Sequence, residues 1–208
     1  ERVAALKALR ATGEVEAGGK RVRFVLLAAR PDRVRLETEA EGRRLVQGTD
    51  GAEPPWELDT GASPPRGGTM GAAAARLFAA DAEFDDPLVA GRGRAYSIDE
   101  AGFVDEGGAR WPRVLVTCPR SEPFHLVLDP TTYLIVRRIE LRGSALGRKT
   151  EVVTRYGDFR LVAGVVLPHV VEVPADGRLV QRTRIDRIEA NPAHDPAVFR
   201  RPAIAEKL

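Results

Sequence analysis

Cysteine and methionine each occur once in this 208-residue chain, and histidine three times. A single cysteine, Cys118, excludes an internal disulfide and any zinc site built on cysteines. It sits in the apolar run Val114-Leu115-Val116-Thr117-Cys118 and reads as a buried strand residue. Nothing near it in sequence would lower a thiol pKa and make it a nucleophile. His125, His169 and His194 are scattered over turn, strand and tail without metal-ligand spacing, so no metal site is expected. No run of 18 apolar residues exists to span a membrane. There is no nucleophile elbow, phosphate-cradling loop or dinucleotide fingerprint. Gly91-Arg92-Gly93 lacks the preceding strand and following helix that would give it meaning. His194-Asp195 reads as a polar loop dipeptide, Asp85-Asp86 as a helix-ending turn, and no two carboxylates are singled out for acid–base work. Neither catalysis nor a cofactor is expected.

Charge of one sign is also missing. Thirty-two Lys plus Arg against thirty Asp plus Glu leave +2, too balanced for a polyanion partner. The arginines alternate with apolar residues, as in Arg33-Val34-Arg35-Leu36, the pattern of a sheet's solvent face. No nucleic-acid partner is expected. The chain starts at Glu1 without methionine and reads as trimmed, any export signal having been lost.

What is present is strands. Residues 124–191 read as five of them, joined by turns at Asp129-Pro130-Thr131-Thr132, Gly143 to Gly147, Ala163-Gly164 and Ala175-Asp176-Gly177. The intervening runs are rich in Val, Ile, Thr and Tyr. Turns this short force an antiparallel meander. Upstream, residues 2–10 carry Val3, Leu6 and Leu9 at helical spacing and predict a short amphipathic helix. Gly18-Gly19 joins a hairpin. Its return strand alternates Phe24, Leu26 and Ala28, and further strands follow at residues 33–39 and 43–47 and around Trp56. Residues 51–68, with four prolines and three glycines beyond Gly51, predict a loop longer than a hairpin needs. Residues 69–84 predict the one internal helix, capped by Thr69 and carrying Met70, Ala73, Ala74, Leu77 and Phe78 as an apolar stripe. Strands return over 93–99, 103–106 and 111–118. After Asn191 the tail is irregular, with Phe199 its one obvious anchor.

These elements make a mainly β chain with few helices (α+β). We expect one domain over residues 1–208: a curved, unclosed antiparallel sheet of about 11 strands. The lid segment is residues 51–84 and the C-terminal meander residues 124–191. The apolar side chains expected on the concave face are Phe24, Leu26, Leu36, Leu126, Leu128 and Ile135, with Met70, Leu77 and Phe78 of the helix across them. Two readings stay open: these residues form an ordinary filled core, or they leave a cavity for an apolar ligand.

Several segments resemble a known family in order and spacing. They are residues 6–13 (LKALRATG), Arg30-Pro31-Asp32-Arg33-Val34-Arg35, and Val46-Gln47-Gly48-Thr49-Asp50-Gly51 followed by Trp56. Leu128-Asp129-Pro130-Thr131-Thr132-Tyr133-Leu134, Tyr156-Gly157-Asp158-Phe159-Arg160, Gly164-Val165-Val166-Leu167-Pro168 and Phe199-Arg200-Arg201-Pro202 complete the set. Together they resemble the LolA/LolB-like periplasmic lipoprotein carriers, in particular the outer-membrane lipoprotein-sorting branch. That resemblance implies a half-barrel under lid helices that binds acyl chains or another lipid in the cell envelope, in the periplasm or anchored to the outer membrane. Lipoproteins or envelope transport components would be its partners. It also implies that Arg30, just before Pro31, latches the lid. The alternative is an envelope sensor or scaffold of the same fold, its groove filled by its own side chains.

Overall fold

The structure is a computed structural model described for residues 2–81, 88, 96–118, 121–143 and 149–202. In chain order come helix α1 (Arg2–Ala5) and strands β1 (Ala8–Ala17), β2 (Lys20–Ala29), β3 (Arg33–Ala40), β4 (Arg43–Thr49), β5 (Trp56–Asp59) and β6 (Arg66–Thr69). Helix α2 (Ala72–Asp81) follows, then β7 (Ser97–Glu106), β8 (Ala109–Cys118), β9 (Ser121–Leu128) and β10 (Ile135–Gly143). The chain continues with β11 (Lys149–Val162), β12 (Val165–Ala175), β13 (Arg178–Ala190) and a 3-10 turn at Pro196–Phe199.

The expected unclosed antiparallel sheet is present, with 13 strands rather than about 11. Its order is β6-β5-β4-β3-β2-β1-β13-β12-β11-β10-β9-β8-β7, so β6 and β7 are its two edge strands. The Gly18-Gly19 turn has both φ angles positive, 56° and 75°, the requirement of a two-residue hairpin whose twist matches its strands. Asp129 builds the β9–β10 turn: its Oδ1 accepts from the amides of Thr131 (3.0 Å) and Thr132 (2.7 Å) and from the Thr132 hydroxyl (2.9 Å).

Four expectations change. The strand β6 lies in the segment expected to be loop, pairing Thr69 with Trp56 and Arg66 with Asp59. Its Arg-Gly-Gly-Thr sequence carries little strand propensity before Thr69, and pairing with β5 makes it a strand. The two strands expected over 93–99 and 103–106 are, as far as described, one, β7, with a register shift between Glu100 and Phe103. Gly102 sits there at φ 77°, as a β-bulge requires. The N-terminal helix stops at Ala5 instead of residue 10. A nine-residue helix is marginal by itself, and the ten-pair ladder from Ala8↔Ala29 to Ala17↔Lys20 takes the rest of the segment into β1. The internal helix begins at Ala72, since Gly68 and Thr69 are held in β6. Gly71, whose carbonyl accepts from Ala75 N at 2.9 Å, precedes it in place of the expected Thr69 cap. Residues 82–84 of the expected helix, and the Gly143-to-Gly147 turn from residue 144 on, lie outside the described residues.

Tight contacts divide the chain into two compact units. Unit 1 comprises Glu1–Asp85, Leu161–Val165 and Arg184–Leu208; unit 2 comprises Asp86–Arg160 and Val166–Thr183. In unit 1 one face of the sheet is sealed by the C-terminal tail. Phe199 has no exposed surface and packs on Ala8, Ala29 and Leu27. Trp56 Nε1 donates to its carbonyl at 2.9 Å, and Arg35 Nη1 donates to the Val198 carbonyl at 2.9 Å. Asp195 caps the 3-10 turn through Ala197 N at 2.8 Å, which is the role of the His194-Asp195 pair.

Candidate functional site

The opposite face of unit 1 carries the expected apolar row. Strand alternation sets Phe24, Leu26 and Ala28 on one side of β2. The register then places Leu36 opposite Leu26 and Val34 opposite Ala28, with Ala11 of β1 on the far side of Leu26. Phe24, Ala28 and Val34 are buried; Leu26 and Leu36 are only half-buried. Leu26 and, from α2, Phe78 both pack against the buried pair Ala28 and Val34. Leu77 is 51% exposed, and Met70 is buried just before the helix, its amide donating to the Pro55 carbonyl at 2.8 Å.

Arg30 ends β2's neighbourhood with its guanidinium turned onto the N-terminal segment. Its Nη1 donates to the carbonyls of Val3 (3.1 Å), Ala4 (3.3 Å) and Leu6. They cluster at the end of a four-residue helix, where the Val3 carbonyl also accepts from Leu6 N at 3.1 Å. Asn191 holds the same segment, its Oδ1 accepting from Lys7 N at 2.7 Å. These three bonds from Arg30 secure α1.

A concavity of about 450 Å³ in unit 1 includes Phe24 but is otherwise mostly charged, with Glu14, Arg23, Glu37, Arg44 and Asp186 in its wall. Burial pushes the Glu37 carboxyl up, but hydrogen bonds from Arg35 and Arg44 outweigh it and hold the group below the usual carboxylate range. Its chemistry is that of an ion-pair network.

Unit 2 gathers the second half of the expected row. Val116, Phe124 and Leu126 are buried together, with Leu88, Tyr96, Val114 and Ile135 packed against them. Leu128 is half-buried and lies opposite Ile135. Sequence reasoning missed two residues on this face, Arg138 and Glu140. Simple alternation would group Ile135 with Arg137 and Ile139 and send Arg138 to the other side. A register shift between Ile135 and Arg137 reverses this and sets Arg138 opposite Leu126 and Glu140 opposite Phe124. The Arg138 guanidinium lies 4.1 Å over the Phe124 ring and pairs with Glu140 at 3.0 Å; the two side chains are 24% and 12% exposed. Its Nε is buried with no hydrogen-bond partner among the described residues. An unsatisfied buried donor costs about 1–3 kcal/mol, more when charged.

A second concavity of unit 2, about 390 Å³, is bounded by Trp111, Arg137, Arg155, Tyr156, Asp158 and Glu172. Arg137 stacks 5.7 Å from the Trp111 ring and pairs with Glu106. Among the described residues no group of three or more His, Cys, Asp or Glu is placed to hold a metal ion. No described helix is long and apolar enough to cross a membrane.

Comparison with solved structures defines the class of fold. A DUF1329 family protein from Desulfovibrio piger superposes with a TM-score of 0.62 at 10% identity, over 95% of this chain and 91% of that one. A putative outer membrane lipoprotein-sorting protein domain from Vibrio parahaemolyticus gives 0.62 at 10% identity, over 93% and 89%. A LolA superfamily protein from Nitrosomonas europaea gives 0.57 at 10% identity, over 94% and 90%. The chain has a LolA-like fold. No family model matches its sequence, nor does any curated protein.

Proposed function

We propose that this protein is a binding module of the bacterial cell envelope that holds acyl chains of lipoproteins or another lipid on its apolar sheet faces. The observation that supports this most is the half-burial of Leu26 and Leu36 in an apolar row against which α2 lays Phe78. Sheet residues with that much open apolar surface gain roughly 0.8 kcal/mol for each methylene laid against them. Phe24, Leu26 and Leu36 would line the face in unit 1, and Leu126, Leu128 and Ile135 the face in unit 2. Phe78, with Met70 and Leu77 beside it, would act as lid, and Arg30 would steady the closed state through α1. A periplasmic or outer-membrane-anchored location agrees with the LolA-like fold.

The test is titration with N-phenylnaphthylamine, a neutral apolar fluorophore, together with native mass spectrometry of protein purified from a bacterial envelope. Saturable binding that Leu36→Glu weakens at the face of unit 1 and Leu128→Glu at the face of unit 2, with circular dichroism unchanged, is the expected result. A bare mass with no fluorophore uptake would overturn the reading. One observation favours a second reading, a sensor or scaffold whose groove is self-filled: Phe78 already occupies part of the face in unit 1. Under that reading Phe78→Ala opens the face and creates binding; under the carrier reading the same change weakens it.

A further inference from the structure

We propose that the open concavity of unit 2 beside Trp111 is a phosphate site, in which Arg137 and Arg155 together hold a singly charged phosphodiester. The site shares no residue with the apolar rows. The register sets Arg137 of β10 directly opposite Arg155 of β11, and both line the same space of about 390 Å³. Like charges at directly opposed positions destabilise a sheet, so the pair is a cost to the fold that a bound anion reverses.

The donors are in place for it. The Arg137 guanidinium stacks 5.7 Å from the Trp111 ring and pairs through Nη2 with Glu106, which fixes its plane. Its side chain stays 19% exposed, and its Nε and Nη1 meet no acceptor among the described residues. Arg155 is exposed and has neither an ion pair nor a hydrogen bond among the described residues. A free arginine on a sheet is ordinary by itself. What distinguishes this one is the second guanidinium held across from it.

The acids of the wall are already engaged. Glu106 pairs with Arg137, Asp158 with Arg160 at 2.5 Å and Glu172 with Arg182 at 2.6 Å. Arg155 is then the one charge of the wall without a counter-ion among the described residues, and the complementary occupant is an anion. A carboxylate has its two oxygens in one plane and fills one guanidinium fork. Two forks on neighbouring strands call for oxygens on more than one side, as on a tetrahedral phosphate. A diester brings a single negative charge, which Arg155 balances. A monoester brings up to about two at neutral pH, and the second would face the carboxylates of Glu106, Asp158 and Glu172. This chemistry is common to a phospholipid head group and a free glycerophosphodiester.

The two tryptophans report separately, Trp111 in this concavity and Trp56 in unit 1. In nitrogen–proton correlation spectra of the full chain, at neutral pH and constant ionic strength, dimethyl phosphate should move the Trp111 indole N–H saturably and leave that of Trp56 in place. Acetate should bind roughly tenfold more weakly, and Arg155→Gln should weaken dimethyl phosphate roughly tenfold, the value of a lost charged hydrogen bond. Arg137→Lys keeps a charge for Glu106 but loses the fork, and should weaken binding as well. Equal affinities for acetate and dimethyl phosphate overturn the choice of phosphate. A silent Trp111, or binding unchanged in Arg155→Gln, overturns the site and leaves the acyl-binding reading standing. Glycerophosphoglycerol and dihexanoylphosphatidylglycerol separate the two sources. Tighter binding of the chain-bearing form supports a lipid head group, and equal or weaker binding a free diester.

Discussion

Gly13 shows how closely one residue can be constrained. A Cβ built there would lie 2.0 Å from the Arg184 carbonyl oxygen and 3.0 Å from the Ile185 Cα. Those atoms are backbone of the neighbouring β13 and cannot rotate away, so Gly13→Ala must spread two strands. It should destabilise the protein by about 1–3 kcal/mol in urea unfolding. Gly157→Ala is the control: its Cβ meets nothing within 4 Å, and its midpoint should stay put. Equal midpoints for the two variants would show that β1 and β13 do not approach as described. Nothing in Thr12-Gly13-Glu14 announces that constraint, because the partner lies 171 residues away in sequence. Arg138 was hidden for a related reason. One extra residue between Ile135 and Arg137 exchanges the faces of everything after it, and a bulge has no dependable signature in Ile135-Val136-Arg137. Leu26, Leu36 and Phe78 were legible because unbroken alternation or helical spacing fixes their faces.

Elements were legible where turn chemistry is local. The β9–β10 turn follows from Asp129-Pro130-Thr131-Thr132, and its carboxylate is held below the ordinary Asp value, chiefly by the backbone amides of Thr132 and Thr131 and then by the Thr132 hydroxyl. A carboxylate depressed in the folded state stabilises fully above its unfolded pKa of about 3.9, and the effect fades as pH falls through the lower folded value. Asp129→Ala should therefore lower the melting temperature at neutral pH, and the gap to the unaltered protein should narrow below about pH 4. A gap that is constant from pH 7 to pH 2 would mean that the charge of Asp129 does not contribute. Elements set by distant partners were less legible. Helix α1 ends early because Ala8 to Arg10 pair with Leu27 to Ala29, and α2 starts late because Thr69 pairs with Trp56. In both places local helical spacing lost to a ladder.

At the scale of the molecule, ligand and stability are linked. A ligand held only by the folded state stabilises it by about 2.7 kcal/mol at one hundred times its Kd. For a chain of 208 residues this is a rise of roughly 5–10 °C in melting temperature. N-phenylnaphthylamine at that excess should produce such a rise, and Leu36→Glu should reduce it. Hydrogen exchange should place a gain in protection on β2 and β3, whose half-buried Leu26 and Leu36 meet the ligand in the proposed complex. Protection gained elsewhere in unit 1, with β2 and β3 unchanged, would move the ligand away from that row.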